Sequence, residues 1–139
     1  RVDDDARHLL AITSEALEKA VATIAPGTHL SDIGHAVENY VEAHGFSVVR
    51  EFVGHGIGAS LHEEPQVPNF GRPGRGPRLK PGLVLAIEPM VNVGGPEVRV
   101  DADGWTARTR DGSLSAHFEY SVAVTQTGAR VLGAEQRAA

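Results

Sequence analysis

The sequence predicts an α+β fold, in which two helices lead into a sheet of mainly antiparallel strands. Up to residue 45, apolar residues recur at steps of three and four, the period of an amphipathic helix. After residue 46 they gather into short runs, and two Asp-Gly pairs typical of hairpin turns divide the later runs. A chain of 139 residues, 41% apolar and 22% charged, has the length and composition of one globular domain.

Two helices are predicted in the first third of the chain. The first has Asp3 or Asp4 as its N-cap and ends at Pro26-Gly27. The second begins with Ser31 as its cap and ends at Gly45, a typical C-terminal glycine. The apolar faces of the two helices consist of Leu9, Leu10, Thr13, Ala16, Leu17, Ala20, Val21 and Ile24, and of Ile33, Val37, Tyr40 and Val41.

Short strands are predicted in the rest of the chain, at residues 48–53, 83–88, 98–100, 105–110 and 117–125, with residues 131–132 closing the sheet. A sharp glycine-rich turn over residues 54–58 follows the first strand. Five prolines make residues 65–82 a long irregular loop, a kind of segment that is usually functional or mobile. The tail from Glu135 is predicted to fray.

Composition excludes several classes of function. The chain has no cysteine, which excludes disulfides, thiolate metal sites and a cysteine nucleophile. With 13 Lys and Arg against 18 Asp and Glu the net charge is −5, so specific binding of nucleic acid is not expected. No apolar run approaches the roughly 18 residues of a membrane span, and no signal-peptide pattern opens the chain.

Seven histidines direct attention to chemistry based on imidazole and carboxylate groups. His55 lies between two glycines, where a tight backbone bend can present its ring into a cleft. A turn histidine bonded to the backbone is the equal alternative. His62 and Glu63 do not form a metalloprotease helix, because the required second histidine is replaced by Gln66. Four histidines in or beside the helices are predicted to be ordinary surface residues: His8, His29, His35 and His44.

Two glutamates stand in strongly apolar segments. Glu88 follows a run that is apolar enough to be buried, and a buried carboxylate is usually paired or bound to a metal. An ion pair with an arginine is the alternative. Glu119 lies in a similar segment, on the strand face opposite Phe118. His55, Glu88 and Glu119 together form a candidate site for a divalent first-row ion. Ordinary turn roles are expected for Asp101, Asp103 and Asp111.

These residues lie in a series of motifs: Gly54-His55-Gly56-Ile57-Gly58, Leu61-His62-Glu63-Glu64-Pro65-Gln66-Val67-Pro68, Leu79-Lys80-Pro81-Gly82, Ile87-Glu88-Pro89-Met90-Val91-Asn92, Asp103-Gly104-Trp105 and Asp111-Gly112-Ser113-Leu114-Ser115-Ala116-His117-Phe118-Glu119. From about residue 6 to residue 133, their order and spacing resemble the carboxy-terminal half of type I (bacterial-type) methionine aminopeptidases, metallopeptidases of the pita-bread fold. The 31 positions from Glu88 to Glu119 leave no room for the long insertion of type II enzymes. The resemblance implies the second lobe of that fold, two helices plus an antiparallel-rich curved sheet.

The resemblance implies a role for each matching residue. His55, Glu88 and Glu119 match ligands of a dinuclear metal centre, with the Glu119 position bridging both ions. His62 matches the residue that contacts the scissile peptide, and the Glu88 position also handles the proton of the attacking water. Trp105 and Leu61 match two walls of the pocket for the methionine side chain; the Leu61 position is often aromatic in the family.

The implied activity is removal of the N-terminal initiator methionine from nascent proteins, by a hydroxide held between two divalent ions (Mn, Fe, Co or Zn) that attacks the first peptide bond. The implied partner is the N-terminal Met of nascent polypeptides, with transient association with the ribosome, in the cytoplasm and without a membrane.

The family takes two further aspartate ligands from strands that precede the first helix, and this chain opens at Arg1. We therefore expect residues 1–139 to be a partial catalytic domain that lacks the amino-terminal lobe. By itself it should lack aminopeptidase activity, hold at most one ion weakly, and aggregate or dimerise through unpaired strand edges and an uncovered apolar face.

Two other functions remain open. A proline-specific aminopeptidase or prolidase of the same fold shares the first histidine motif and both glutamates, although Trp105 and residues 111–118 favour methionine aminopeptidase. A non-catalytic pita-bread binding module is the other alternative, and the joint presence of His55, His62, Glu88 and Glu119 argues against it.

Overall fold

A computed structural model of the chain describes residues 2–133. It begins with two helices, α1 (Asp4–Ala22) and α2 (Leu30–Ala43). The strands that follow in this range are β1 (Ser47–Val48), β2 (Gly54–Gly56), β3 (Glu63–Val67), β4 (Val84–Ile87), β5 (Met90–Asn92), β6 (Val98–Val100), β7 (Ala107–Thr109), β8 (Ser115–His117), β9 (Tyr120–Val124) and β10 (Ala129–Val131). The predicted order of helices before strands is confirmed. No helix within the described range has both the length and the apolar character needed to span a membrane. The predicted fraying from Glu135 lies outside the described residues.

Helix α1 begins as its sequence predicts. The Asp3 carboxylate accepts a hydrogen bond from the Ala6 N–H at 2.7 Å, so Asp3 is the N-cap. On the buried face, the Thr13 hydroxyl donates to the Leu9 carbonyl at 2.7 Å, which allows a polar side chain to lie within the core. The helix ends ahead of Pro26-Gly27, as expected.

Helix α2 differs from its prediction at the start. Its N-cap is His29 rather than Ser31, because the Asp32 carboxylate accepts from the His29 N–H at 2.8 Å in the manner of a capping box. The Ser31 hydroxyl instead accepts from the Arg75 N–H, 2.8 Å away in the long loop. Gly45 ends the helix with a φ of 78°, as predicted.

The long loop is fastened to α2 by side chains. Asp32 accepts from the Gly74 N–H at 2.7 Å, and this bond is the main cause that lowers the pKa of Asp32. The rings of His29 and His35 contact the carbonyls of Gly76 and Gly71 at 2.9 Å and 3.1 Å. The loop therefore follows a defined path although residues 68–82 contain no helix or strand.

The strands form three antiparallel sheets. The largest has the order β10-β9-β4-β2-β3, a second has the order β1-β5-β8, and β6 pairs with β7 in a hairpin. Since β4 pairs with β9 and β5 with β8, two neighbouring strands pass together from one sheet to the next. We call residues 84–92 and 115–124 the crossing ribbon. Residues 88–89 and 118–119 lie between its two paired stretches.

The crossing ribbon corrects two predicted strands. The strand expected at residues 83–88 corresponds to β4, but the chain continues into β5, an unpredicted strand of another sheet. The strand expected at residues 117–125 is divided between the end of β8 and the whole of β9, which also belong to different sheets. The interruptions are Glu88-Pro89 and Phe118-Glu119, and apolar runs on both sides of each pair conceal the change of sheet. Of the two predicted hairpin turns, only one closes a hairpin. Asp103-Gly104 connects the paired strands β6 and β7, whereas Asp111-Gly112 connects β7 to β8, which belong to different sheets.

Three further elements differ around β2. Residues 54–56 form a strand inside the largest sheet, where a sharp turn was expected. A Cβ atom at Gly54 would lie 2.2 Å from the Ala86 carbonyl oxygen, so these glycines permit close strand packing. The predicted strand at 48–53 is reduced to β1. The first residues of the predicted loop form β3, an edge strand that accommodates Pro65.

The helices pack against one side of the two larger sheets. Fully buried side chains of α1 and α2, such as Leu17 and Val37, meet those of β4 and β9, such as Leu85 and Val122. Because strand residues alternate between faces, the neighbours of these core residues in β2, β4 and β9 point to the opposite side. That second face carries the candidate site.

Candidate metal centre

The donor atoms of His55, Glu88 and Glu119 lie within 4.8 Å of one another. His55 Nε2 is 3.5 Å from Glu88 Oε1, and the two side chains are only 15% and 16% exposed. Glu119 is exposed. Sequence reasoning singled out the same three residues, and the structure brings them together although they are 64 positions apart from first to last.

Strand register explains why the three side chains converge. His55 pairs with Ala86, and Ala86 pairs with Ser121, so these three residues occupy one row across the sheet. Glu88 and Glu119 are each two positions from that row, in the same direction along antiparallel strands. A step of two residues keeps a side chain on the same face. The crossing of the two strands therefore places both carboxylates beside the imidazole.

The His55 ring is oriented by its own backbone. Nδ1 contacts the carbonyl of Gly56 at 2.9 Å, which favours a proton on Nδ1 and leaves the Nε2 lone pair facing Glu88. Both interpretations of His55 therefore describe one arrangement: the ring is bonded to backbone, and its free nitrogen faces the cluster.

His62 stands next to this cluster. Its ring centroid is 4.1 Å from that of His55, with the ring planes tilted by 45°. The structure thus places His62 beside the candidate ligands. Leu61 and Trp105 are 68% and 90% exposed, so the described residues do not enclose either side chain in a pocket.

His117 belongs to the site, and the residue-by-residue reading of the sequence did not select it. Its Nε2 lies 3.5 Å from Glu88 Oε2, within ion-pair range but longer than an ordinary hydrogen bond. The Glu88 carboxylate, with the charge of Glu119 as a smaller cause, raises the pKa of His117. Strand alternation could have indicated this residue, since it lies two positions before Glu119.

Within residues 2–133, the basic side chains whose nitrogens lie within 4.0 Å of the Glu88 carboxylate are His55 and His117. The alternative of an arginine partner for Glu88 is therefore wrong for this part of the chain. One imidazole nitrogen and two carboxylates at these separations are a donor set that suits a divalent first-row ion, whose charge would also offset the two neighbouring negative charges. The residues present fit such a group.

The three aspartates near the β6–β7 hairpin, Asp101, Asp103 and Asp111, have structural roles. Asp103 and Asp111 accept hydrogen bonds from Thr106 and Ser113 in their turns, which lower the pKa of each carboxyl to about 2. Asp101 pairs with Arg108. The ordinary local roles expected for these aspartates are confirmed. His29 and His35 differ from the expected surface histidines, because their rings contact the long loop.

The chain is similar to known proteins over most of its length. The sequence model of metallopeptidase family M24 matches residues 1–126. Methionine aminopeptidase 1 of Bacillus subtilis is 54% identical over 131 residues, covering 94% of this chain and 53% of its own length. The enzyme of Escherichia coli K12 is 49% identical over 125 residues, covering 90% and 47%. The chain spans about half the length of the curated relatives it matches.

Solved structures show the same relationship. The methionine aminopeptidase of Thermotoga maritima superposes with a TM-score of 0.93 at 49% identity, covering 95% of this chain and 53% of that one. A prolidase from Thermococcus sibiricus reaches 0.68 at 22% identity, covering 95% and 30%, which shows a shared fold alone. The expected resemblance to methionine aminopeptidases and the pita-bread fold are confirmed. The chain belongs to metallopeptidase family M24.

Proposed function

We propose that this chain supplies part of the active site of an enzyme that removes the N-terminal methionine from newly made polypeptides. The observation that carries the proposal is the convergence of His55, Glu88 and Glu119 on one face of the sheet. Relatives named methionine aminopeptidase, at 45–54% identity, support this substrate over the proline-specific alternative.

His55, Glu88 and Glu119 are the proposed ligands of divalent ions, with Mn, Fe, Co and Zn all suited to a nitrogen and carboxylate set. Such ions, when bound, lower the pKa of a coordinated water and polarise the carbonyl of the peptide. Glu119, which is exposed at the edge of the cluster, would be the ligand shared by two ions, as the family resemblance implies. Glu88 also accepts the proton of the attacking water at a carboxylate oxygen.

His62 is the proposed contact to the scissile peptide. Its ring lies against that of His55, so it is within reach of a substrate held at the ligands. A neutral imidazole there donates a hydrogen bond to the developing oxyanion or to the departing amide nitrogen. Leu61 and Trp105 are the proposed walls of the methionine pocket. Both are exposed, so the pocket needs further residues to enclose the side chain.

Residues 1–139 form, in this proposal, a partial catalytic domain. The two further aspartate ligands that the family resemblance implies belong to an amino-terminal lobe. Within this chain, one ion would have three protein ligands and a second would have only Glu119. The N-terminal methionine of nascent polypeptides is the proposed substrate, encountered in the cytoplasm through transient association with the ribosome.

A chimera tests the proposal. The amino-terminal lobe that the family resemblance implies, taken from the Bacillus subtilis enzyme, is joined to the start of residues 1–139. With Mn²⁺ or Co²⁺ the chimera should release methionine from a Met-Ala-Ser peptide, whereas the 139-residue chain alone should not. In the chimera, His55→Ala and Glu119→Ala should each reduce release to background.

Matched measurements separate the alternatives. His44→Ala, a change in an exposed histidine at the end of α2, should leave release of methionine unchanged. Faster cleavage of an X-Pro peptide than of Met-Ala-Ser would favour a prolidase. A chimera that folds and binds Co²⁺ without cleaving either peptide would favour a binding module. Turnover by the 139-residue chain alone would contradict the partial-domain proposal.

A further inference from the structure

We propose that His117 is a positioning residue that fixes the carboxylate of Glu88, so that Oε1 of that carboxylate stays directed at the His55 side of the cluster. The inference rests on the proposed function, because it assigns His117 a task in the metal site formed by His55, Glu88 and Glu119. His117 itself lies outside that ligand set.

The two oxygens of Glu88 face two different histidines. Oε1 lies 3.5 Å from His55 Nε2, and Oε2 lies 3.5 Å from His117 Nε2. The backbone carbonyl of Glu88 accepts a hydrogen bond at 3.1 Å from the amide of Asn69, a side chain that is completely buried. Glu88 is therefore contacted at its backbone and at its second oxygen by groups that are not candidate ligands.

Glu88 needs such contacts because it lies where the strand pairing is interrupted. The ladder between β4 and β9 ends at Ile87 and Tyr120, and the ladder between β5 and β8 begins at Met90 and His117. A glutamate side chain has several freely rotating bonds, and the nearby charge of Glu119 repels its carboxylate. His117 opposes both effects, since the imidazole offers an N–H to the oxygen that points away from His55.

The crossing ribbon sets the position of His117 as well. His117 is the last residue of β8 and pairs with Met90, two residues beyond Glu88. The imidazole and the carboxylate are thus placed by the same pair of strands, with Glu88 within the interruption and His117 at its edge. A neutral imidazole suffices for this role, because it needs only one N–H donor. A glutamine amide could supply the same donor.

The direct test measures the affinity for a metal ion rather than turnover. Co²⁺ is titrated into the 139-residue chain and followed by calorimetry and by its visible absorption spectrum, for the unsubstituted chain, His117→Phe and His117→Gln. Loss of a neighbouring group that orients a metal ligand typically weakens metal binding about 10–100-fold. We expect a loss in that range and an altered spectrum for His117→Phe, and recovery of both in His117→Gln.

Two controls keep the outcomes separate. His8→Phe removes an exposed histidine on α1 and should leave Co²⁺ binding unchanged. Glu119→Ala removes a ligand and should weaken binding strongly.

Unaltered affinity and spectrum in His117→Phe would overturn the positioning role alone. Absence of Co²⁺ binding by the unsubstituted chain, or binding unaffected by Glu119→Ala, would overturn the metal site and the role of His117 with it. Since the His117 side chain is 46% exposed, circular dichroism should show that His117→Phe and His117→Gln leave the fold unchanged.

Discussion

At the scale of the residue, Glu88 and Glu119 place two carboxylates within the same few ångströms. Repulsion between them disfavours the metal-free state. We therefore expect Glu119→Gln to raise the urea midpoint of the chain in EDTA, while removing the increase that Mn²⁺ gives to the unsubstituted chain, since a bound ion stabilises the folded state by mass action. Chemical unfolding followed by circular dichroism, with and without Mn²⁺, measures both effects.

The control for this change is Glu42→Gln, which neutralises an exposed carboxylate on α2. It should alter neither the EDTA midpoint nor the response to Mn²⁺. A lower midpoint for Glu119→Gln in EDTA would show that the carboxylate stabilises the metal-free chain and would contradict the expectation.

Asp111 gives a pH-dependent prediction. Hydrogen bonds from Ser113, and from the Gly95 N–H at 2.8 Å, hold the pKa of Asp111 at about 2, below its ordinary 3.8. Because the folded-state pKa is depressed, the stabilisation is complete above about pH 4 and is lost as the pH falls toward 2. Asp111→Asn should therefore flatten the fall of the urea midpoint between pH 4 and pH 2.

Unfolding at a series of pH values tests this expectation. Glu51→Gln, which neutralises an exposed carboxylate beyond β1, serves as the matched control. If Asp111→Asn and the control change the acid slope equally, the hydrogen bonds from Ser113 and Gly95 contribute nothing specific to Asp111.

Residue types and apolar context were enough to predict His55, Glu88 and Glu119. A histidine flanked by glycines is one uncommon feature, and a glutamate within an apolar segment is another. Such a carboxylate usually has a partner or a bound metal. His117 was not predicted, because its contact with Glu88 depends on the pairing of β8 with β5. That pairing is a long-range property, and the one local signal was the position of His117 two residues before Glu119.

At the scale of the element, strand β2 depends on the absence of side chains. A Cβ atom at Gly56 would lie 2.2 Å from the backbone oxygen of Glu64, which cannot move without displacing β3. We expect Gly56→Ala to lower the free energy of unfolding by about 1–3 kcal/mol, the usual cost of overpacking. Urea unfolding followed by far-ultraviolet circular dichroism measures this loss.

Gly58 is the matched control for Gly56. The Cβ of an alanine there would meet the carboxylate end of Glu63, an exposed side chain that can rotate away. Gly58→Ala should cost clearly less than Gly56→Ala. Equal losses would mean that the backbone of β3 adjusts as readily as a surface side chain does.

The helices were more predictable than the strands for a physical reason. Helix periodicity and the cap at Asp3 are local, so a short window of sequence contains them. The largest sheet instead joins β2 to β4 and β4 to β9, segments separated by long stretches of chain. The glycines in residues 54–58 favour a turn, but residues 54–56 form a strand because they pair with β3 and β4.

At the scale of the whole molecule, several large apolar side chains are exposed: Trp105 at 90%, Leu61 at 68%, Val100 at 53% and Leu114 at 49%. Burial of such groups between copies would stabilise association. We expect the 139-residue chain to associate at micromolar concentrations, with a molar mass above 14.7 kDa in light scattering. The double change Leu61→Ser with Trp105→Ser should reduce the association.

A monodisperse monomer over the whole concentration range would contradict this expectation. The matched control is a double substitution of exposed polar residues, Glu42→Gln with Glu51→Gln, which leaves the apolar surface intact. It should associate as the unsubstituted chain does.

The crossing ribbon also determines where the length of this chain can vary. Each strand residue advances the chain by about 3.3 Å, so one residue inserted within 84–92 or 115–124 would carry one glutamate out of line with the other. The β6–β7 hairpin and its flanking turns, residues 93–114, lie outside the ribbon. Insertions or deletions there would leave Glu88 and Glu119 facing each other, so this interval can change in length without displacing either glutamate.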